Sequence, residues 1–233
     1  MAPRRPEVRL ESLEEGAAAA EGHVVVIDVF RAFTTAAVAL ARGASRIAMV
    51  GDTKEALRLR RSGAVDVCVG ERHGARPAGF DFGNSPAALA KADLAGRALA
   101  LTTSNGTRGL MAARGARRLF AGALVNAGAT IAAIEADRPR LVTLVAMGAR
   151  SGRAAEDEIC ALYLRSRLQG HRPDRRAVAK LIASLVAPIP DALVASGDYP
   201  PEDRKVALDI DAVPMAMPVI MKGGVLVTSR IDV

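Results

Sequence analysis

HVVVIDV, at residues 23–29, is an apolar, largely β-branched run that contains one carboxylate near its end. A continuous run of this kind is typical of a strand buried on both faces of a parallel sheet. Further strands are predicted at residues 46–50, 66–69, 98–102, 118–121 and 141–146. Helices are predicted between them, at residues 34–42, 54–62, 85–91, 107–113, 127–135 and 155–169. This alternation predicts an α/β fold with three layers, α/β/α, around a mostly parallel sheet.

The regular alternation of predicted strands and helices ends after Gly170. A helix is predicted at residues 174–186, followed by a loop rich in Pro, Gly and Asp through Glu202. Strands are predicted at residues 206–210, 218–221 and 225–229, and Lys222-Gly223-Gly224 predicts a hairpin turn. Because no long linker precedes this part, we expect one α/β domain over residues 1–233, in which residues 171–233 form at most a subdomain.

The composition excludes several classes of protein. Half of the 233 residues are hydrophobic and 3% are aromatic, which excludes collagen-like, low-complexity and disordered chains. Cys68 and Cys160 form neither a disulfide framework nor a zinc pattern, so we expect a reducing, cytoplasmic location. No segment is long and apolar enough to span a membrane, and the first residues lack the apolar stretch of an export signal.

The net charge of +7 is carried mostly by arginine, which suits recognition of phosphate, sulfonate and carboxylate groups. A GC-biased genome that encodes Arg in place of Lys is the alternative explanation. The arginines are scattered among acids and aromatic residues are few, so we expect no nucleic-acid partner. The expected partners are a small anionic substrate and further copies of the chain in a homo-oligomer.

The first polar motif follows the strand at residues 23–29 and runs from Asp28 to Thr35. Ligands of open parallel sheets bind at the carboxyl ends of the strands, so this position favours a functional site. Asp28 could ligate a divalent cation or attack phosphorus, and Arg31 could hold an anionic oxygen. Alternatively, Asp28 caps the next helix and Arg31 neutralises it.

The second motif begins with Glu71 and Arg72, directly after the strand at residues 66–69. A turn with a solvated salt bridge is the alternative interpretation. The motif leads to Asn84 and Ser85, either of which can cap the helix that Pro86 begins.

The third motif, from Thr102 to Gly109, leaves a strand and opens a helix. Successive hydroxyls, a glycine and free N–H groups at a helix start make an anion cradle, although an ordinary hydroxyl-rich cap has the same pattern. The residues of this loop that we expect to bind substrate are Thr102, Thr103, Asn105, Gly106 and Thr107.

The fourth motif, from Gly148 to Glu158, places three acids in the first turn of a helix. Acids there stabilise the helix dipole. Glu156 or Asp157 would also be placed to ligate a metal beside Asp28, since Mg²⁺ favours one or two carboxylates together with substrate phosphate. The three histidines form no metal-spaced pair.

Taken in order, these segments resemble the 2-phosphosulfolactate phosphatase family of coenzyme M biosynthesis. The matching stretches are VVIDVFRAFTTAAVAL, GERHG, FDFGNSP, LTTSNGTRGL with Asn126, and the loop and helix from Gly148 to Glu158. The resemblance implies Mg²⁺-dependent hydrolysis of 2-phospho-3-sulfolactate to 3-sulfolactate and phosphate.

With that resemblance, we expect a phosphatase acting on a small polyanionic phosphomonoester. The expected catalytic residues are Asp28, Arg31, Glu71 and Arg72, the expected Mg²⁺ ligands are Asp28, Asp157 and Glu71, and Asn84 and Ser85 join the substrate-binding loop. Two alternatives stay open: a non-catalytic binder of anionic metabolites and, more weakly supported, a nucleic-acid-binding protein.

Overall fold

A computed structural model of the protein describes residues 5–149 and 151–232. Arg150, within the fourth motif, lies outside the described residues. The strands are β1 (Glu7–Ser12), β2 (His23–Ile27), β3 (Arg46–Met49), β4 (Val67–Gly70), β5 (Ala98–Thr102), β6 (Arg118–Gly122), β7 (Leu141–Ala146), β8 (Met215–Ala216), β9 (Pro218–Lys222), β10 (Val225–Thr228) and β11 (Ile231–Asp232). The helices are α1 (Leu13–Ala19), α2 (Ala32–Ala41), α3 (Thr53–Arg61), α4 (Pro86–Leu89), α5 (Gly106–Ala112), α6 (Ala127–Asp137), α7 (Ala155–Leu168), α8 (Arg175–Leu185), α9 (Asp191–Ala195) and α10 (Glu202–Ala207), with a 3-10 turn at Leu124–Asn126.

Nine of the strands form one sheet in the order β1-β7-β2-β6-β9-β10-β3-β5-β4. The strands β1, β7, β2 and β6 pair in parallel, as do β3, β5 and β4. The antiparallel hairpin of β9 and β10 joins these two parallel groups. The prediction of an α/β fold is confirmed, and the C-terminal strands lie in the middle of the sheet.

The alternation of side chains along β2 shows how the layers form. Val24 and Val26 pack into a core that includes residues of α2 and α5, whereas Val25 and Ile27 pack against residues of α6 and α7. Helices therefore cover both faces of the sheet, as a three-layer arrangement requires. Residues 32–40 of α2 are buried on every side, because this helix packs against both parallel groups of strands.

In the C-terminal part of the chain, one predicted strand differs from the structure and one predicted turn agrees with it. The predicted strand at residues 206–210 is wrong, since α10 occupies Glu202–Ala207. Acids in the first turn of α10 and basic residues in its last turn favour a helix there. The predicted hairpin turn is confirmed: Gly223 and Gly224 have φ values of 59° and 80°, which a tight hairpin needs. No helix in the described ranges is long and apolar enough to cross a membrane.

Candidate active site

The polar residues that follow β2, β4, β5 and β7 meet at one place. Gly106, at the start of α5, lies against the carboxylate of Asp28. Glu71 accepts a hydrogen bond from the backbone N–H of Ser104 at 2.6 Å. Asp157 bonds the loops after β2 and β7. The four motifs thus lie together at strand carboxyl ends, a position that favours a ligand site.

Asp28 is buried and its carboxylate is surrounded by backbone donors and other acids. Its Oδ1 accepts the N–H of Ala32 at 2.9 Å, and the Gly106 N–H also bonds the carboxylate. Burial raises the pKa of Asp28 to about 7, and the nearby charges of Glu71 and Glu156 raise it as well. A carboxyl group with this pKa exchanges its proton near neutral pH.

Asp157 is the one of the three acids at the start of α7 that turns inward. Its Oδ1 accepts the N–H of Val29 at 2.7 Å and its Oδ2 accepts the N–H of Gly148 at 2.8 Å. Burial raises the pKa of Asp157 well above its ordinary value, and the charge of Asp28 raises it further. The charge of Asp28 therefore acts on Asp157, and the predicted metal site that would include both acids stays a prediction.

The other two acids of that turn have different surroundings. Glu156 is partly buried, and burial raises its pKa while the charge of Arg204 opposes that shift. Glu158 points to the surface, where it accepts hydrogen bonds from Ser12 and Arg153 at 2.7 Å. These contacts lower the pKa of Glu158, so it belongs to a surface ion pair.

Glu71 and Arg72 connect the second motif to the third. Both oxygens of Glu71 accept hydrogen bonds, from the N–H groups of Ser104 and Gly74. Arg72 donates to three neutral oxygens: the carbonyls of Glu71 and Gly51 and the hydroxyl of Thr102. The interpretation of Glu71 and Arg72 as a mutual salt bridge is therefore wrong, and Arg72 bonds no carboxylate among the described residues.

Two hydroxyls of the third motif, those of Thr103 and Thr107, bond within the loop. The Thr107 hydroxyl accepts the N–H of Thr103 at 3.0 Å and donates to the Thr103 carbonyl at 3.1 Å. The Thr103 hydroxyl accepts the N–H of Thr107 at 3.3 Å. This pattern is that of a helix cap, so the anion cradle stays a prediction.

Arg31 and the Asn84–Ser85 turn are joined by an acid that was not predicted. The Nη1 of Arg31 lies 2.7 Å from Asp203, and Ser85 donates to the other oxygen of Asp203 at 2.7 Å. The alternative interpretation, in which Arg31 neutralises the charge of Asp28, is therefore wrong, because Arg31 pairs with Asp203. Ser85 also caps α4 through its bond from the N–H of Ala88, which confirms its predicted capping role.

A cleft of about 970 Å³ opens beside these strand ends. Arg72, Thr103, Ser104 and Asn105 line it, together with residues such as Gly51, Asp52, His73, Arg108 and Met147. Asp28, Glu71 and Asp157 are not among the described residues that line this cleft; Gly106, which contacts Asp28, follows the lining residue Asn105 in sequence. The cleft thus gives the site a mixed polar lining, open to a small anionic molecule.

The acids of the site can bind a magnesium ion only if water and phosphate oxygens complete its coordination shell. Among the described residues, no group of three or more His, Cys, Asp or Glu side chains lies close enough to hold a metal by itself. Asp28 and Asp157 are hard oxygen donors whose mutual repulsion a cation would relieve. Mg²⁺ commonly takes one or two carboxylates and completes its shell with water and phosphate oxygens, so this donor set is suitable.

Comparisons with known proteins point to one family. Residues 9–194 match the model of the family described as 2-phosphosulpholactate phosphatase. A relative named probable 2-phosphosulfolactate phosphatase, from Thermoplasma acidophilum, is 38% identical over 150 residues, which cover 64% of this chain and 67% of the relative. A relative of the same name from Thermoplasma volcanium is 38% identical over 158 residues, covering 68% and 73%. One from Carboxydothermus hydrogenoformans is 47% identical over 106 residues, covering 46% and 44%.

Proposed function

This chain belongs to the 2-phosphosulpholactate phosphatase family, whose name denotes a phosphoric monoester hydrolase, and on that premise we propose that it hydrolyses 2-phospho-3-sulfolactate or a closely similar polyanionic phosphomonoester. The observation that carries the proposal is the meeting of two buried, coupled carboxyl groups, Asp28 and Asp157, at strand ends beside a polar cleft. A role in coenzyme M biosynthesis, in the cytoplasm and as a homo-oligomer, stays a prediction.

Asp28 is the residue best suited to handle a proton. Without a cation beside it, its pKa of about 7 allows it to gain or lose a proton at neutral pH, which is the property of an effective general acid or base. With Mg²⁺ bound, the carboxyl group would stay ionised and act as a ligand. The Gly106 N–H and the Ala32 N–H fix the orientation of the carboxyl group before substrate binds. We therefore assign Asp28 the central catalytic role.

Arg72 is the cation best placed to attract the substrate. It lines the cleft and, within the part of the chain that the structure describes, bonds only neutral oxygens, so its positive charge is available to a phosphate, sulfonate or carboxylate group. The carbonyl and hydroxyl partners hold its guanidinium plane in place. Ser104 and Asn105 line the same cleft and supply polar groups to the anion.

Magnesium is part of the proposal. Asp28 and Asp157, with Glu71 nearby, would hold the ion, and the ion would supply charge neutralisation for the phosphate oxygens. The backbone bonds from Val29 and Gly148 keep Asp157 in a fixed orientation for this purpose.

A screen for phosphate release from phosphorylated hydroxy acids tests the proposal. With Mg²⁺, 2-phospho-3-sulfolactate should release phosphate, a chelator should abolish the release, and added Mg²⁺ should restore it. Full activity in excess chelator would remove the metal from the proposal. Tight binding of the same esters without any release would favour the non-catalytic binder instead.

A further inference from the structure

Asp203 is a completely buried carboxylate that ties two parts of the candidate site together. Its Oδ2 accepts a hydrogen bond from Arg31 Nη1 at 2.7 Å. Its Oδ1 accepts hydrogen bonds from the Ser85 hydroxyl at 2.7 Å and from the Ala87 N–H at 3.0 Å. One side chain thus fixes both the arginine of the first motif and the Asn84–Ser85 turn.

Arg31 makes two further contacts, with Asp198 and with Tyr199. The Nη1 of Arg31 also donates to the carbonyl of Asp198 at 2.7 Å. The Tyr199 ring lies under the guanidinium, with 3.6 Å between the guanidinium carbon and the ring centroid. Stacking on an aromatic face and a carboxylate in its plane leave a guanidinium little freedom to rotate.

The free donors of Arg31 are the reason to connect this arrangement with a ligand. Within the described residues, both of its hydrogen bonds come from Nη1, and none comes from Nε or Nη2. Nearby in sequence to Ser85, the buried Asn84 has a side-chain oxygen with no hydrogen-bond partner among the described residues.

We infer that Asp203 is a positioning residue, which holds Arg31 so that its remaining N–H groups bind the substrate's carboxylate or sulfonate, the anionic groups that are not transferred. This inference rests on the proposed function and specifies how that site selects a polyanionic ester. A guanidinium that is already fixed binds a carboxylate or sulfonate through two parallel hydrogen bonds and loses no further conformational entropy on binding. Asp203 lies beyond residue 194, where the match to the family ends.

A pair of substrates separates this role from a merely structural one. 2-Phospho-3-sulfolactate carries a carboxylate and a sulfonate, whereas glycerol 2-phosphate carries neither. We expect Asp203→Asn to raise KM for the first ester by roughly tenfold or more, the effect of one misplaced charged hydrogen bond, with a smaller change in kcat. KM for glycerol 2-phosphate should stay within about twofold of wild type.

A double-mutant cycle shows whether Asp203 acts through Arg31. In an Arg31→Met background, Asp203→Asn should cause no further rise in KM, because the group that it positions is gone. Equal increases for both esters, or additive effects of the two substitutions, would overturn the inference. If Asp203→Asn does not fold, Tyr199→Leu removes the stacking contact alone and should give a smaller rise, again only for the polyanionic ester.

Asp211→Asn is the matched control. Asp211 also pairs with an arginine, Arg175, at 2.7 Å and accepts a backbone N–H, from Gly128, but it lies outside the site. Its substitution should lower the melting temperature and leave both KM values unchanged.

Measurements of equilibrium binding test the inference even if the proposed function fails. If wild type hydrolyses neither ester at any metal concentration, the proposed function fails. Titration calorimetry with 3-sulfolactate and with inorganic phosphate then decides the role of Asp203. Asp203→Asn should weaken binding of 3-sulfolactate roughly tenfold and leave that of phosphate unchanged. Equal affinity of wild type and variant for 3-sulfolactate, or no binding by either, would overturn the inference.

Discussion

The backbone of Gly106 lies directly against the carboxylate of Asp28. A Cβ atom at position 106 would lie 2.7 Å from Asp28 Oδ2 and 2.8 Å from the Cβ of Ala32. Both distances are below normal van der Waals contact, so only glycine fits here. This close approach allows the Gly106 N–H to reach the Asp28 carboxylate and brings the first and third motifs together.

Gly106→Ala should therefore damage both stability and catalysis. The added methyl group pushes on Asp28 and Ala32, and overpacking of this kind costs about 1–3 kcal/mol of unfolding free energy. A shift of the Asp28 carboxylate by a fraction of an ångström should lower kcat/KM by roughly tenfold or more. Thermal unfolding and steady-state kinetics measure the two effects.

Two controls accompany that variant. Gly115 has open space around its Cβ position and a φ outside the left-handed region, so Gly115→Ala should leave stability and activity close to wild type. Ser104→Ala removes one hydroxyl, which lies 3.1 Å from Glu71, and should cost less activity than Gly106→Ala. A Gly106→Ala protein as active as the Gly115→Ala protein would contradict the prediction.

The acids that start α7 should respond very differently to amide substitution. Each oxygen of Asp157 accepts a backbone N–H, so Asp157→Asn must turn an NH₂ group toward either Val29 or Gly148. Leaving a buried donor unpaired costs about 1–3 kcal/mol, and phosphate release should fall with it. Denaturant unfolding of the variant measures the loss.

Glu158→Gln is the comparison within the same turn. Glu158 pairs with Arg153, whose side chain is 66% exposed, and exposed ion pairs contribute roughly 0–1 kcal/mol. Its activity should remain near that of wild type. Equal losses in Asp157→Asn and Glu158→Gln would show that the inward orientation of Asp157 has no consequence.

The sequence was sufficient for six of the seven parallel strands and for the meeting of the four polar motifs at strand carboxyl ends. Continuous apolar runs such as those of β2 and β7 have few alternatives to a buried strand, and polar residues after several of them predict one sheet edge. The edge strand β1 was missed, although charged residues, Glu7, Arg9 and Glu11, alternate along it with half-buried ones, as in a strand with one solvated face. An edge strand of six residues gives a weak pattern.

Asp203 could not be found from the sequence. Its partner Arg31 lies 172 residues away along the chain, and no spacing rule links two residues at that separation. The residues before Asp203 are Pro-rich and were predicted as loop, followed by a strand at residues 206–210. Similarly, the sequence does not distinguish the three consecutive acids at residues 156–158. Only the packing of α7 makes Asp157 buried and places Glu158 in a surface ion pair.

Magnesium should stabilise the wild-type protein at pH 8. At this pH the buried carboxyl groups of Asp28 and Asp157 together carry unfavourable negative charge. A cation that binds only the folded state therefore raises the unfolding temperature. The shift should shrink when Asp28 is replaced by Asn, because one ligand charge is lost. Differential scanning fluorimetry with a magnesium titration measures this without an assay of activity. Equal shifts in both proteins would remove Asp28 from the cation site.

The pH dependence of stability should identify Asp28 as a buried acid with a raised pKa. In the unfolded chain its pKa is near 3.8, and in the folded protein it is about 7. Between these values the folded state holds a proton that the unfolded state has released. The free energy of unfolding therefore decreases as pH rises through this interval and levels off above about pH 7.

Asp28→Asn removes this titration and keeps the shape of the side chain. Its amide oxygen can still accept the Ala32 N–H, while the Gly106 N–H loses its carboxylate. From about pH 4 to pH 8, wild type should lose up to roughly 4 kcal/mol relative to the variant, at about 1.4 kcal/mol per pKa unit. The comparison of slopes cancels the constant cost of the altered hydrogen bond. Asp157 remains in both proteins but is no longer influenced by the charge of Asp28 in the variant, so the difference in slopes reports the two acids together. At the same time kcat should fall by roughly 10²-fold or more, as for loss of one key electrostatic group. Parallel stability curves with near-wild-type kcat would make Asp28 a helix cap, because Asn caps about as well as Asp.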